Sequence, residues 1–172
     1  MADRGDSGIV VLVPAAEPVV DRWRQRHDRA ARQGMPAHIT LLYPFLTEAR
    51  LDATVIDRLR SICAPTWPID LELRRTARFP ATIYLAPEPA HQFQALTRAI
   101  TAAWPEAPPY GGQFDDVMPH LTIADGVETA VMDEIDADVT PQLPVRMRVA
   151  EAHLWVFDGA RWQPRERLPF EG

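Results

Sequence analysis

The sequence contains a single cysteine, Cys63, and no lysine among its 172 residues. One thiol can form neither an intramolecular disulfide nor a cysteine-based zinc cluster. Because Cys63 ends a helical pattern, we expect it to be a small buried apolar group and not a nucleophile. All 18 basic residues are arginines, so an isolated arginine is weak evidence for a functional site.

Long hydrophobic runs are also missing. The first apolar stretch, Ile9 to Val13, is short and is flanked by acidic residues. It resembles neither a signal peptide nor a membrane span, so we expect a cytoplasmic protein without a membrane partner.

The net charge is −6, and it is unevenly distributed. Residues 1–86 contain 12 arginines and 10 acids, a balance of +2, whereas residues 87–172 contain 6 and 14, a balance of −8. A chain this acidic does not coat long nucleic acid. A nucleotide or a short oligonucleotide in a locally basic cleft remains compatible with it.

The hydrophobic pattern predicts the same order of elements twice: strand, helix, loop, strand, helix, strand. One predicted helix runs from Val19 to Gln33. Pro14 and Pro87, which close the first strand of each half, are 73 positions apart. This order indicates an internal duplication and two pseudo-symmetric α+β lobes in one domain, residues 1–172. We expect lobe-forming repeats at roughly 8–79 and 80–157, and a closing hairpin at 152–169.

A polar tetrapeptide occurs once in each half, as "HITL" from His38 and "HLTI" from His120. Successive side chains of a strand point to opposite faces, so each histidine shares a face with Thr40 or Thr122 while the aliphatic residues anchor the strand in a core. Two imidazoles that face one cleft can act as an acid and a base near neutral pH. The threonine hydroxyls can bind an oxyanion between them.

These paired motifs resemble those of the two-histidine (2H) phosphoesterase superfamily, within it the bacterial 2′-5′ RNA ligase and cyclic phosphodiesterase branch. The resemblance extends over the chain, including "PAHITLLYPF" and "LWVFDGARWQPRERLPF". It implies a bilobal α+β fold, each lobe a mainly antiparallel sheet with helices on its outer face and a cleft between the lobes. It also implies His38 and His120 as catalytic residues, Thr40 and Thr122 as phosphate ligands, and no metal or other cofactor.

The predicted activity is hydrolysis of 2′,3′-cyclic phosphates or 2′-5′ linkages, reversible as 2′-5′ RNA ligation. The expected partner is a small nucleotide or an RNA end with a cyclic phosphate, and a monomer is expected. Which histidine is the base is left open. Further candidates for substrate binding are three aromatic residues near the motifs and the densest arginine cluster: Tyr43, Phe45, Phe79, Arg74, Arg75 and Arg78. We interpret His153 as structural.

Two alternatives remain at this point. A histidine-based metal hydrolase needs a third ligand, yet no carboxylate lies within two residues of His38, and Asp125 is the only acid that closely follows His120. A non-catalytic nucleotide- or RNA-binding module on the same fold predicts binding without turnover.

Overall fold

Eight strands and five α-helices are present in residues 2–113 and 117–172, the part of the chain that the structure, a computed structural model, describes. The strands form two four-stranded antiparallel sheets, with the orders β2-β1-β7-β8 and β5-β4-β3-β6. Their bounds are β1 (Ser7–Leu12), β2 (His38–Leu42), β3 (Ile69–Phe79), β4 (Thr82–Glu88), β5 (Leu121–Asp125), β6 (Val145–Val149), β7 (Glu151–Phe157) and β8 (Trp162–Pro169). The α+β class with antiparallel sheets, predicted from the sequence, is confirmed.

Two of the helices cross over between the sheets: each follows a strand of one sheet and packs on the other sheet. The helix bounds are α1 (Glu17–His27), α2 (Arg29–Arg32), α3 (Ala53–Cys63), α4 (Ala90–Ala103) and α5 (Thr129–Val139). The first helix, α1, follows β1 but packs against β5 and α5, and α4 follows β4 but packs against β2 and α3. Trp23 on α1 donates to Asp138 on α5 at 2.8 Å, and Thr97 on α4 donates to the Leu41 carbonyl on β2 at 2.8 Å. This exchange of helices binds the two halves into one body.

The single helix predicted from Val19 to Gln33 is divided in two. Asp28 has extended backbone angles, φ −119° and ψ 117°, and ends α1. Its side chain accepts a hydrogen bond from the Ala30 amide at 3.0 Å, which caps α2. A short acidic side chain favours this capping position over a helix interior, which explains the break.

The two sheets do not coincide with the sequence repeats expected at roughly 8–79 and 80–157, because each sheet contains a strand from the other repeat. Strand β3, in the first repeat, pairs with β4 and β6 in the second sheet, and β7, in the second repeat, pairs with β1 in the first sheet. Pro80 and Ala81 alone separate β3 from β4, and so short a turn makes the two strands a hairpin. Local hairpin formation therefore places β3 with the strand that follows it.

One hydrophobic core runs through both sheets and their helices, with Ile9, Leu85 and Phe93 fully buried. Cys63 is also fully buried there, and burial raises the pKa of its thiol to about 11, as expected for a packing residue. A smaller cluster lies on the opposite face of the first sheet and consists of Val10, Met35, Trp155, Phe157 and Trp162. Among the described residues, no helix has the length and apolar character needed to cross a membrane.

Candidate active site

The two histidine–threonine motifs lie on strands at the edges of the two sheets. Strand β2 is one edge strand of the first sheet, and β5 is one edge strand of the second. Residues of these two edge strands come within 8 Å of each other, measured between Cα atoms. His38 begins β2 and His120 immediately precedes β5, so both imidazoles are held at the junction of the sheets.

A cavity of about 770 Å³ is present at this junction, and all four predicted side chains line it: His38, Thr40, His120 and Thr122. The intervening residues Ile39 and Leu121 are fully buried in the core. The alternation that the sequence predicts for the two strands therefore holds in both copies. It brings two imidazoles and two hydroxyls to one open space.

Each imidazole is oriented by a backbone carbonyl two residues earlier in the chain. Nδ1 of His38 lies 2.8 Å from the Pro36 oxygen, and Nδ1 of His120 lies 2.7 Å from the Met118 oxygen. A carbonyl oxygen only accepts, so the proton of each neutral ring is on Nδ1. Nε2 is then the basic nitrogen of each ring.

The surroundings of the two histidines differ in charge. Burial, followed by the Arg24 guanidinium, lowers the pKa of His38 from 6.5 to about 4, against the opposing effect of the Pro36 carbonyl and Asp28. Burial also lowers the pKa of His120, while the Met118 carbonyl and the Asp125 carboxylate oppose this shift. Both rings are therefore mainly neutral at pH 7 in the free protein.

The cation next to His38 belongs to a buried ion-pair network. Arg24 is 1% exposed. It contacts Asp28 at 2.9 Å and donates to the Met35 carbonyl at 3.2 Å. Glu17 lies 4.0 Å from the same guanidinium and accepts a hydrogen bond from the Ala37 amide at 2.5 Å. These contacts fix the segment that leads into β2, and with it the position of His38.

Tyr110 connects the loop between α4 and β5 to the first motif. Its backbone amide donates to the Tyr43 carbonyl at 2.7 Å, and its hydroxyl is hydrogen-bonded to Thr40. Its backbone lies in the left-handed region, with φ 50° and ψ 35°, which is uncommon for a residue other than glycine. Such a conformation is often retained at functional sites. The ring also lines the cavity.

Aromatic rings surround His120 on the second sheet. Phe79 stacks on Tyr84 at 4.5 Å between ring centroids, and both rings contact His120 edge-on at 5.4 Å. Phe79 is 37% exposed and lines the cavity. An exposed ring at the wall of a cavity can stack on a planar group such as a nucleobase.

Comparison with known proteins places this geometry in a family. Residues 12–161 match the family model of the 2′-5′ RNA ligase superfamily. The chain belongs to this superfamily. The 2H phosphoesterase resemblance seen in the sequence is thereby confirmed, and family and fold together support an activity of the phosphoesterase or 2′-5′ RNA ligase type.

One curated protein and several solved structures resemble the chain over most of its length. GK0864 of Geobacillus kaustophilus (strain HTA426), which is named a phosphoesterase, is 29% identical over 144 residues, 81% of this chain and 78% of the relative. The E. coli LigT structure complexed with 3′-AMP is 17% identical, with a TM-score of 0.64, covering 99% of this chain and 100% of LigT. TT0787 of Thermus thermophilus is 17% identical, with a TM-score of 0.61, covering 97% and 98%. At these identities the solved structures show the shared fold.

Of the six further residues predicted to bind substrate, two aromatic residues line the cavity and the other four do not. Tyr43 and Phe79 line it. Phe45 is 7% exposed and packs edge-on against Trp104, so its prediction as a cleft residue is wrong. Trp104, which directly follows α4, covers this ring as part of the hydrophobic core.

The arginine cluster does not line the cavity either. Arg74 forms ion pairs with Glu72 and Glu88. Arg78 contacts Asp133 at 2.7 Å on α5. Arg75 is exposed outside the cavity lining. The acidic helix α5 and neighbouring strand carboxylates satisfy the charges of Arg74 and Arg78. The local sequence indicates only the pair with Glu72, which lies two residues before Arg74 on the same face of the strand.

His153 lies outside the cavity lining and is mostly buried, with Nε2 3.4 Å from Glu151. Within the described residues no group of three or more histidine, cysteine, aspartate or glutamate side chains could hold a metal ion. Asp125, the carboxylate considered for the metal-hydrolase alternative, accepts a hydrogen bond from the Thr82 hydroxyl at 2.6 Å.

Sequence reasoning missed three residues of the site: Arg24, Tyr110 and Trp162. The signal for Arg24 was an arginine on the apolar face of a predicted helix, four residues before Asp28. Tyr110 is an aromatic residue in a loop rich in proline and glycine, which carried no usable signal. Trp162 follows a hairpin turn, where a core position was the natural expectation.

Proposed function

We propose that this protein is a metal-independent phosphodiesterase that hydrolyses 2′,3′-cyclic phosphates or 2′-5′ linkages of RNA or nucleotides. His38 and His120 are its acid–base pair, and Thr40 and Thr122 are its phosphate ligands. The observation that supports this most strongly is the convergence of both motifs on one cavity, with the same Nδ1–carbonyl hydrogen bond in each copy. LigT, with which this chain shares its fold, has been solved with 3′-AMP and with ATP, which supports a substrate of nucleotide size here.

The reaction on a cyclic phosphate needs one proton acceptor and one proton donor. Water attacks phosphorus as one imidazole Nε2 takes its proton, and the other imidazole protonates the ribose oxygen that leaves. The threonine hydroxyls donate hydrogen bonds to the non-bridging oxygens, where negative charge increases in the transition state. Departure of the 3′-oxygen leaves a 2′-phosphate. In 2′-5′ ligation a ribose 5′-hydroxyl attacks the cyclic phosphate in place of water, and the 3′-oxygen leaves in the same way. The reverse of ligation is attack of the 3′-hydroxyl on the 2′-5′ linkage with departure of the 5′-oxygen, and in that step the two histidines exchange roles.

The charges near each ring favour one distribution of roles. His38, next to the buried Arg24, is the harder ring to protonate and is the base in hydrolysis. His120 is the acid, because the Asp125 carboxylate favours the protonated form of its ring. The phosphate anion of a bound substrate raises the pKa of both rings, and His120 is protonated first.

The test is product analysis with 2′,3′-cyclic nucleotides and 2′-5′-linked dinucleotides in the presence of a strong chelator. His38→Ala and His120→Ala should each lower kcat/KM by on the order of 10²–10⁴. The double variant should be little worse than the worse single variant, because the two residues act as a unit. His153→Ala is the matched control, since it removes an imidazole of the first sheet that lies outside the cavity lining.

Three results would contradict this proposal. Full activity of His38→Ala on every substrate would remove the motif from the chemistry. Loss of all turnover in chelator, restored by a divalent metal, would favour the metal-hydrolase alternative. Tight nucleotide binding without product from any substrate would favour the binding-module alternative.

A further inference from the structure

Arg29 is the single arginine among the described residues that line the cavity. Its side chain has no carboxylate partner within 4.0 Å in the described part of the chain, whereas Arg24, on the preceding helix, is paired with Asp28. An exposed guanidinium that lines a cavity and is not neutralised by a neighbour is suited to bind a phosphate through paired N–H donors. In a chain of net charge −6, such a local cation matters for the binding of anions.

Gln33 adds a second donor on the same side of the chain. It lies four residues after Arg29, one helical turn away, and both residues line the cavity. Residues four apart in a helical turn are neighbours on one face. The backbone amide of Gln33 donates to the Arg29 and Ala30 carbonyls, and its side-chain NH₂ provides two further donors.

Apolar side chains connect Gln33 to the strand of Thr40. The Trp162 amide donates to the Gln33 carbonyl at 2.8 Å, and Trp162 clusters with Val10 and Met35. Tyr43 and Trp162 contact edge-on at 5.8 Å between ring centroids, and with Val10 and Met35 they line this part of the cavity. Val10 is the direct antiparallel neighbour of Thr40. A ligand that extends from the threonine hydroxyls toward Arg29 therefore passes over apolar and aromatic side chains, which suit the sugar and base of one nucleoside.

Two carboxylates of this region, those of Asp28 and Asp6, already have hydrogen-bond donors. Asp28 is paired with Arg24 and caps α2. Asp6 accepts a hydrogen bond from the Tyr43 hydroxyl at 3.2 Å. Both carboxylates reduce the positive potential around Arg29, but each has a donor of its own, so the Arg29 guanidinium is left to face the cavity.

We propose that Arg29 and Gln33 form a second phosphate subsite. One phosphate of the ligand lies between Thr40 and Thr122, and the second subsite binds another phosphate on the opposite side of the same nucleoside. The preferred ligand is a nucleotide or RNA end with two phosphates separated by one nucleoside. The second phosphate is either a terminal 5′-phosphate or the next phosphodiester of an oligonucleotide. This proposal rests on the proposed function for the position of the first phosphate.

Binding of two product analogues measures the subsite without requiring turnover. We expect the wild-type chain to bind adenosine 2′,5′-bisphosphate about 10- to 100-fold more tightly than adenosine 2′-monophosphate by calorimetry, as for a hydrogen-bonded charge pair. Arg29→Ala should abolish this preference while changing monophosphate binding by less than about twofold. Arg29→Lys should keep part of it, because a point charge replaces a two-pronged donor.

Arg32→Ala is the matched control. Arg32 is an exposed arginine of the same helix that lies outside the cavity lining and donates to the Arg26 carbonyl. The variant should bind both ligands like the wild type. Equal wild-type affinity for the two ligands, or a preference that Arg29→Ala retains, would overturn the proposal.

A third ligand identifies the source of the second phosphate. An adenosine dinucleotide with a terminal 2′-phosphate presents a phosphodiester in place of the 5′-phosphate. The ligand whose affinity falls more in Arg29→Ala carries the kind of second phosphate that the subsite binds. Failure of this proposal is distinct from failure of the proposed function. Turnover of cyclic phosphates with no Arg29-dependent binding removes only the subsite, and Arg29-dependent binding with no turnover removes only the enzymatic activity.

Discussion

The depressed pKa of His38 predicts a specific dependence of stability on pH. In the folded protein this pKa is about 4, against 6.5 for an ordinary histidine, because burial and the nearby Arg24 cation oppose protonation. Above pH 6.5 the ring is neutral in both the folded and the unfolded chain, and the shift has no effect on stability. As the pH falls from 6.5 to about 4, the unfolded chain binds a proton that the folded chain does not, so folding becomes less favourable.

The expected loss follows from the size of the shift. At 1.36 kcal/mol per pKa unit, a change from 6.5 to about 4 corresponds to on the order of 3 kcal/mol of unfolding free energy. That is a large part of the stability of a typical domain. His38→Asn removes the titrating ring and keeps an N–H that can donate to the Pro36 carbonyl. The variant should therefore lose less stability than the wild type on acidification.

Urea unfolding at several pH values between 7 and 4 measures this difference. Titration of the groups that do not interact with His38 contributes equally to both proteins and cancels in the comparison. His91→Asn, which changes an exposed histidine on α4, is the control and should behave like the wild type. Parallel curves of stability against pH for the wild type and His38→Asn would refute the assignment of a buried, neutral ring to His38.

Substitutions of the two threonines, of Tyr110 and of Arg24 also have defined outcomes. Thr40→Ala and Thr122→Ala should each lower kcat/KM by about tenfold on a cyclic nucleotide, less than either histidine variant, because each removes one of several phosphate donors; an unchanged rate for both would exclude them as phosphate ligands. Tyr110→Phe should lower kcat/KM by roughly 2- to 10-fold with unchanged thermal stability, because it removes the hydroxyl bonded to Thr40; a wild-type rate would restrict Tyr110 to packing. Arg24→Met should destabilise the fold by about 3–5 kcal/mol in urea, since it leaves Asp28 buried without its cation. Asp28→Asn in the same chain should restore part of that loss, and no recovery would contradict the ion-pair explanation.

Local patterns in the sequence were sufficient to predict most of the secondary structure and the pair of motifs. The alternation around His38 and His120 depends only on the two-residue period of a strand, and both copies show it. The same reasoning failed at Asp28, where a capping side chain interrupts an apolar stripe that otherwise continues. It also failed for Phe45, because the apolar partner that buries this ring, Trp104, is distant in sequence.

The assembly of the lobes could not be predicted from the repeat. A duplication in sequence predicts two similar units, but it does not say which strands of those units pair. The short turn at Pro80 and Ala81 determines that β3 joins β4, and the place that β3 would have filled beside β1 is taken by β7. Helix α1 then covers β5, and α4 covers β2. Contacts between distant segments decide these steps, and no local pattern encodes them.

The duplication also explains why two nearly identical motifs can perform different steps. Each half provides an imidazole fixed through Nδ1 to a carbonyl, so the repeated parts alone would make the two rings equivalent. The difference comes from residues that the repeat does not share. The residue that corresponds to Arg24 in the second half, 73 positions later, is Thr97. Thr97 is buried but neutral, so the helix of the second half has no buried cation at this position. In the proposed reaction, the Arg24 cation near His38 and the Asp125 carboxylate near His120 therefore add to the burial of the rings and separate the base from the acid.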